Sequence, residues 1–219
     1  MANPQRTARA DSMLTQERIL EASVTLFSER GYEGTSLRAI TDAAGVNLAA
    51  AHYHFGSKMQ LLEAAFNRCI APINTERIRR LEALQANHDC PHVEAIARAF
   101  VDLGSAPEVN QRLPRFVARL FAEPKSLSIP LLENAFAPTV RLYFAALKRA
   151  LPRVDPDELR WRFHFLIGAM IQLSHFETPL NLFELDAPPA ADPGRGGTDQ
   201  LVRFVVAGLS QDAHSGEVA

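Results

Sequence analysis

The chain has 219 residues, 47% of them hydrophobic, and a formal net charge of −2. That length allows one large domain or a small domain joined to a medium one, and the near-neutral charge excludes a globally basic nucleic-acid coat, so any DNA contact must come from a local patch. The two cysteines, Cys69 and Cys90, exclude a disulfide framework, and no apolar run approaches the ~20 residues that cross a bilayer.

Residues 1–13 are polar with scattered arginines and no apolar signal core, which predicts a disordered arm on a cytoplasmic protein. A first helix is expected from about Thr15 to Arg30. Ile19, Ala22, Leu26 and Phe27 share one stripe, Thr15 is its expected N-cap and Gly31 its stop. Thr35 caps a short second helix carrying Leu37, Ile40 and Ala44, which Gly45 ends. Val46 and Asn47 lead into a third short helix, Leu48 to Phe55, stopped by Gly56. Ser57-Lys-Met-Gln60 fits the capping-box pattern and opens a long fourth helix reaching about Leu84.

The remainder is also helical in pattern: Val93 to Leu103, Leu113 to Phe121, Ile129 to Leu151 with Pro138 expected to kink it, Pro156 to Phe176, and Thr198 to Leu209. Pro179 to Gly197 reads as a loop. No strand pattern, repeat or phosphate-binding glycine loop appears. The expectation is an all-α protein. An N-terminal three-helix domain with a helix-turn-helix spans 14–60, a larger helical ligand-binding and dimerisation domain spans 61–212, and a tail spans 213–219.

The segment from Thr35 to Lys58 has the helix–glycine turn–helix spacing of a DNA reader, with a turn of about three residues. At ~100° per residue, Leu48, Ala51 and Phe55 group towards the core. Ala49, Ala50, His52 and Tyr53 lie on the opposite arc, with His54 at its margin. The small Ala49 and Ala50 let a helix approach base edges and touch thymine methyls. His52 can bond a base or phosphate, and Tyr53 and His54 can bond phosphate oxygens. Lys58 occupies the first turn of a helix, where the macrodipole disfavours a cation unless a phosphate docks there. Thr35, Ser36 and Arg38 offer a similar anion seat at the second helix.

The run Thr35-Ser-Leu-Arg-Ala-Ile-Thr-Asp-Ala-Ala-Gly-Val46, with Tyr53-His-Phe-Gly-Ser-Lys58 and the upstream Ile19-Leu-Glu-Ala-Ser-Val-Thr-Leu-Phe-Ser-Glu-Arg-Gly-Tyr32, resembles the TetR family of bacterial regulators. Gly45 to Phe55 is similar to a subgroup that includes regulators of fatty-acid degradation. The resemblance implies a homodimer built on the last two long helices, a palindromic double-stranded operator, and repression relieved by a small hydrophobic or amphipathic effector. It implies DNA contacts at Thr35, Ser36, Asn47, Ala49, Ala50, His52, Tyr53, His54 and Lys58. His52 stands where the family often has tyrosine.

A regulatory pocket is expected among the fourth to eighth helices. Phe100, Phe116, Phe121, Phe136, Tyr143, Trp161 and Phe165 are candidates to line it. Arg119, Arg141 and His164 are candidates to receive an anionic head group, or else to serve as surface charges. For the dimer, Phe165, Gly168, Ala169 and Gln172 are expected on one helix and Leu201, Phe204, Val205 and Gly208 on the other. His88-Asp-Cys-Pro-His92 groups potential ligands without a second pair at zinc spacing, so neither metal nor cofactor is expected. Cys69 reads as packing. No nucleophile–base set or paired acid residues favours a helical enzyme. A helical interaction protein without operator binding is the other alternative.

Overall fold

Helix-favouring composition and local capping carry through to the observed elements. The structure, a computed structural model, describes residues 4–102, 107–175 and 193–211. In chain order the helices are α1 (Pro4–Arg30), α2 (Leu37–Ala44), α3 (Leu48–Phe55), α4 (Lys58–Asn87), α5 (Val93–Val101), α6 (Pro107–Phe121), α7 (Lys125–Ala150), α8 (Pro156–His175) and α9 (Pro193–Ser210). No strand occurs among the described residues, and none of these helices is long and apolar enough to cross a membrane.

Several boundaries differ from expectation. Helix α1 begins at Pro4, so the segment expected to be a disordered arm is helical from there, and Thr15 is an interior residue whose hydroxyl donates to the Asp11 carbonyl at 2.9 Å. Propensity alone permits this, because Gln, Arg and Ala dominate 5–10 and nothing after Pro4 breaks a helix. The N-cap of α2 is Ser36, not Thr35. The capping box of α4 forms as expected, with the Gln60 amide donating to Ser57 Oγ at 3.2 Å and the Ser57 amide to Gln60 Oε1 at 3.1 Å. Helix α7 runs unbroken past Pro138. Residues 193–197 open α9, and the rest of the expected 179–197 loop lies outside the described residues.

The chain forms two compact units, one of residues 1–73 with 107–135, the other of 74–106 with 136–219. These units are set by which distant helices cover one another, which periodicity does not show: it marks only which face of a helix is apolar. In the first unit, α1 packs on α2, α3 and α6. Ile19, Phe27, Ile40, Ala51, Leu61, Leu62, Phe66, Phe116 and Leu120 are buried there, and Phe66 meets Phe116 edge-on at 5.4 Å between ring centroids. In the second unit, α9 packs on α5 and α8. Its core includes Ile96, Phe100, Tyr143, Leu147, Leu159, Phe163, Leu166, Leu201, Val202, Val205 and Leu209.

The residues expected at the pocket are found in different surroundings. Phe116, Arg119 and Phe121 belong to the first unit and the other candidates to the second. Within the second, Phe100 and Tyr143 interlock at 4.9 Å in the core. Trp161 and Phe165 instead face outwards from α8, 63% and 64% exposed. Arg141 and His164 are exposed and Phe136 is half-buried. The cause is the apolar circumference of α8: Leu159, Phe163 and Leu166, at helical spacing, take the core side and leave the other face open. Two expected dimer residues are likewise core residues, since Leu201 and Val205 are buried within the protomer, and Ala169 is half-buried against the same core. Phe165, Gly168, Gln172, Phe204 and Gly208 are exposed.

Candidate nucleic-acid interface

The reader segment is fixed by two side-chain caps and one left-handed glycine. Ser36 Oγ accepts the Ala39 amide at 3.0 Å, opening α2. Gly45, at φ +63°, closes it with its amide directed at the Asp42 and Thr41 carbonyls. Asn47 Oδ1 then accepts the Ala50 amide at 2.9 Å and opens α3. The carbonyl of Gly45 also accepts Arg18 Nη2 from α1 at 3.4 Å. Ile40 and Ala51 are buried, anchoring the two short helices.

Leu48 departs from its expected core role. It is 44% exposed, because α3 is anchored one turn later, at Ala51, and its first turn projects past that contact. Thr35 departs too. Its side chain is 1% exposed, its hydroxyl is within 2.7 Å of the Gly31 carbonyl and 3.2 Å of that of Leu26, and its amide donates to Tyr32. Thr35 therefore shapes the turn before α2 and has no free group for a phosphate.

The other predicted residues share a solvent-facing surface. Ser36, Arg38, Asn47, Ala49, His52 and Tyr53 are exposed, and Ala50, His54 and Lys58 are half-buried. Tyr53, 83% exposed, stands edge-on to His54 at 5.1 Å. The His52 ring approaches the Gly56 carbonyl with Nδ1 at 2.9 Å. A carbonyl only accepts, so this bond places a proton on Nδ1 and leaves Nε2 for a base or phosphate. An imidazole braced in this way is better oriented than a free one.

Lys58 is braced as well. Its Nζ lies 4.1 Å from the centroid of the Tyr32 ring, a cation–π contact worth ~0.5–1 kcal/mol at a partly exposed site. Tyr32 stacks on Phe27 at 6.3 Å, and its amide donates to Glu123 Oε1 at 2.8 Å. Beside it, Arg119 Nη2 donates to the Arg30 carbonyl at 2.8 Å. Arg119 of α6, expected at a ligand pocket, thus joins Glu123 of the turn after α6 in clasping the end of α1. Tyr32 and Glu123 had no local sequence signal for this role, because the contact spans 91 positions.

The clasp depends on Gly31. Its φ is +74°, and a Cβ there would collide with Glu123 Oε1 and Arg119 Nε. Gly31→Ala is expected to lose about 2 kcal/mol of stability, from the left-handed backbone and the displaced clasp together. Urea unfolding of the variant beside the parent protein checks the loss.

Comparison with known proteins agrees with this geometry. Residues 19–65 match the model described as bacterial regulatory proteins, tetR family. Residues 94–208 match the tetracyclin repressor-like C-terminal domain. IcaR of Staphylococcus aureus, the HTH-type negative transcriptional regulator of the biofilm operon icaADBC, is 26% identical over 134 residues, covering 50% of this chain and 71% of its own. YttP of Bacillus subtilis strain 168, described as a probable HTH-type transcriptional regulator, is 30% identical over 106 residues, covering 48% and 49%. Among solved structures, the TetR family regulator PfmR of Thermus thermophilus aligns with a TM-score of 0.57 at 21% identity, covering 89% of this chain and 100% of that one. A TerR/AcrR family transcriptional regulator of Aquifex aeolicus aligns with a TM-score of 0.54 at 22% identity, covering 89% and 97%.

Proposed function

This chain belongs to the tetR family of bacterial regulatory proteins, and we propose that it is a homodimeric repressor whose α3 enters the major groove of a palindromic operator and which a small effector releases. The relative IcaR is a negative transcriptional regulator, and the family's members are DNA-binding regulators rather than enzymes. The observation that carries the reading is the exposed arc of α3, small at Ala49 and Ala50 and polar at His52 and Tyr53, flanked by Lys58 held on Tyr32. In this reading Ala49, Ala50 and His52 meet base edges. Ser36, Arg38, Asn47, Tyr53, His54 and Lys58 meet the backbone.

The dimer proposal rests on α8 and α9. Trp161, Phe165, Gly168 and Gln172 recur at helical spacing and are exposed, as are Phe204, Ala207 and Gly208. A glycine inside a helix costs ~1 kcal/mol relative to alanine. At both Gly168 and Gly208 an added Cβ would meet nothing within 4 Å in the protomer. The protomer's own packing gives these glycines no purpose, whereas a second copy approaching along the face does. In a symmetric pair, the two α3 helices would reach successive major grooves, ~34 Å apart.

A gel shift with the DNA upstream of its own gene tests the reading. A salt-sensitive, sequence-specific shift is expected, and its absence would leave a helical interaction protein as the better account. Lys58→Ala is expected to weaken binding about tenfold on every sequence and to lower the salt slope by ~1. Changes at Ala50 or His52 instead alter sequence preference.

A further inference from the structure

Arg77 of α4 is 2% exposed and lies in the second unit. Its Nε donates to the Phe100 carbonyl at 2.9 Å and its Nη2 to the Met170 sulfur at 3.0 Å. The guanidinium carbon is 4.3 Å from the centroid of the Phe100 ring. Nη1 takes part in neither bond. Among the described residues no carboxylate pairs with Arg77. The adjacent acid, Glu76, is engaged by Arg79 and Arg80 instead. Burial pushes the guanidinium down to about 10, which still leaves it cationic at neutral pH.

A buried cation facing a carbonyl, a ring face and a thioether is poorly compensated. The thioether is a weak acceptor on a flexible chain, the kind of partner an incoming anion displaces. A second group in the same unit is also poorly compensated. Thr139 is 1% exposed, and its Oγ1 has no hydrogen-bond partner among the described residues. Thr139 precedes Tyr143 by one turn on the same face of α7, and the Tyr143 hydroxyl donates to the Arg77 carbonyl at 2.8 Å. Phe100 packs against Tyr143 and Phe163 at 4.9 and 5.2 Å, and the Glu76–Arg80 ion pair lies near enough to act on the Tyr143 hydroxyl.

We propose that Arg77 is the anion seat of the effector site, taking a small organic carboxylate with an apolar body that displaces Met170 from Nη2. This rests on the effector-released reading above and supplies its ligand class. A planar carboxylate matches the guanidinium edge through Nη1 and Nη2. Thr139 supplies one further donor. The apolar body replaces side-chain contacts among α4, α5, α7 and α8. Arg119, Arg141 and His164, the candidates from sequence, are exposed and lack the desolvation that makes a charge pair selective.

The test is calorimetric titration of the full chain, without DNA, with benzoate, 2-naphthoate and decanoate and with the corresponding primary amides. At least one acid is expected to bind ten times more tightly than its amide. Arg77→Met should abolish that preference, Arg77→Lys should keep part of it, and Thr139→Val should reduce it with the fold intact by circular dichroism. If Arg77→Met does not fold, the Lys and Val variants decide. Equal binding of acid and amide, no binding of any acid, or full preference without the Thr139 hydroxyl and with lysine at 77 would overturn the proposal. The operator gel shift is read separately. A specific shift without carboxylate binding sinks the anion seat alone, and carboxylate binding without a shift sinks the operator reading alone.

Discussion

Replacing Phe204 with glutamate is expected to dissociate the protein into monomers and to weaken operator binding ~100-fold or more, while leaving the monomer's stability nearly unchanged. Phe204 is 74% exposed on α9, and substitutions at such positions usually stay within about 0.5 kcal/mol. Two half-site contacts act together only when the readers are joined, so losing the joint removes the gain in effective concentration rather than any base contact. In a symmetric pair each substitution is presented by both copies, so two carboxylates would be buried without partners. Gly208→Leu is a second variant with the same expected outcome by a steric route. In the monomer it replaces a costly helix glycine with a strong helix former and so stabilises α9. Sedimentation and gel shifts separate the cases. A dimer that persists in both variants would move the interface away from α8 and α9.

Much of the fold was legible because local rules set it. The capping box of Ser57 and Gln60 formed at the predicted place, and the second helix ended at Gly45 where its glycine implied. The failures arose where two neighbouring residues could do the same job. Thr35 and Ser36 both suit an N-cap, and the choice fell to Ser36 because the Thr35 hydroxyl finds carbonyl acceptors from the end of α1. The outward arc of α3 was readable from its angular spacing, but the partners of Lys58 and His52 were not. Tyr32 and Gly56 gain their roles only once α1 and α3 are in place. The regulatory half was the least legible for a related reason. An apolar helix such as α8 declares that two faces will be covered without saying which face belongs to the protomer. Sequence composition therefore marked Leu201 and Val205 for the dimer although the protomer buries them, and Trp161 for the pocket although it stands exposed. Arg77 was overlooked among the Arg- and Glu-rich surface pattern of α4, where Glu76, Arg79 and Arg80 do form an exposed or half-exposed ion-pair group.

Phe100→Ala is expected to destabilise the protein by about 5 kcal/mol, the largest effect of any single substitution considered. Phe100 is 2% exposed, and truncating a buried phenylalanine ordinarily costs ~3–5 kcal/mol through lost transfer energy and the cavity left behind. Two further losses add to it at this position. The ring packs edge-on to Tyr143 and tilted against Phe163, pairs worth ~0.5–1.5 kcal/mol each beyond area. It also supplies the face on which Arg77 lies, and removing that face leaves a buried cation beside a void. These contributions share atoms, so they do not sum. A drop of ~10 °C or more in Tm follows for a protein of this size, with Phe100→Leu as the variant to measure if the alanine protein does not accumulate. The Arg77 part can be isolated by a double-mutant cycle. Arg77→Met removes the charge and keeps an apolar chain, so Phe100→Ala should cost at least ~1 kcal/mol less in that background if the ring stabilises the cation. Equal costs in both backgrounds would mean that the guanidinium draws its compensation from the Phe100 carbonyl and Met170 alone, and that the aromatic face serves only the packing of α5 against α7.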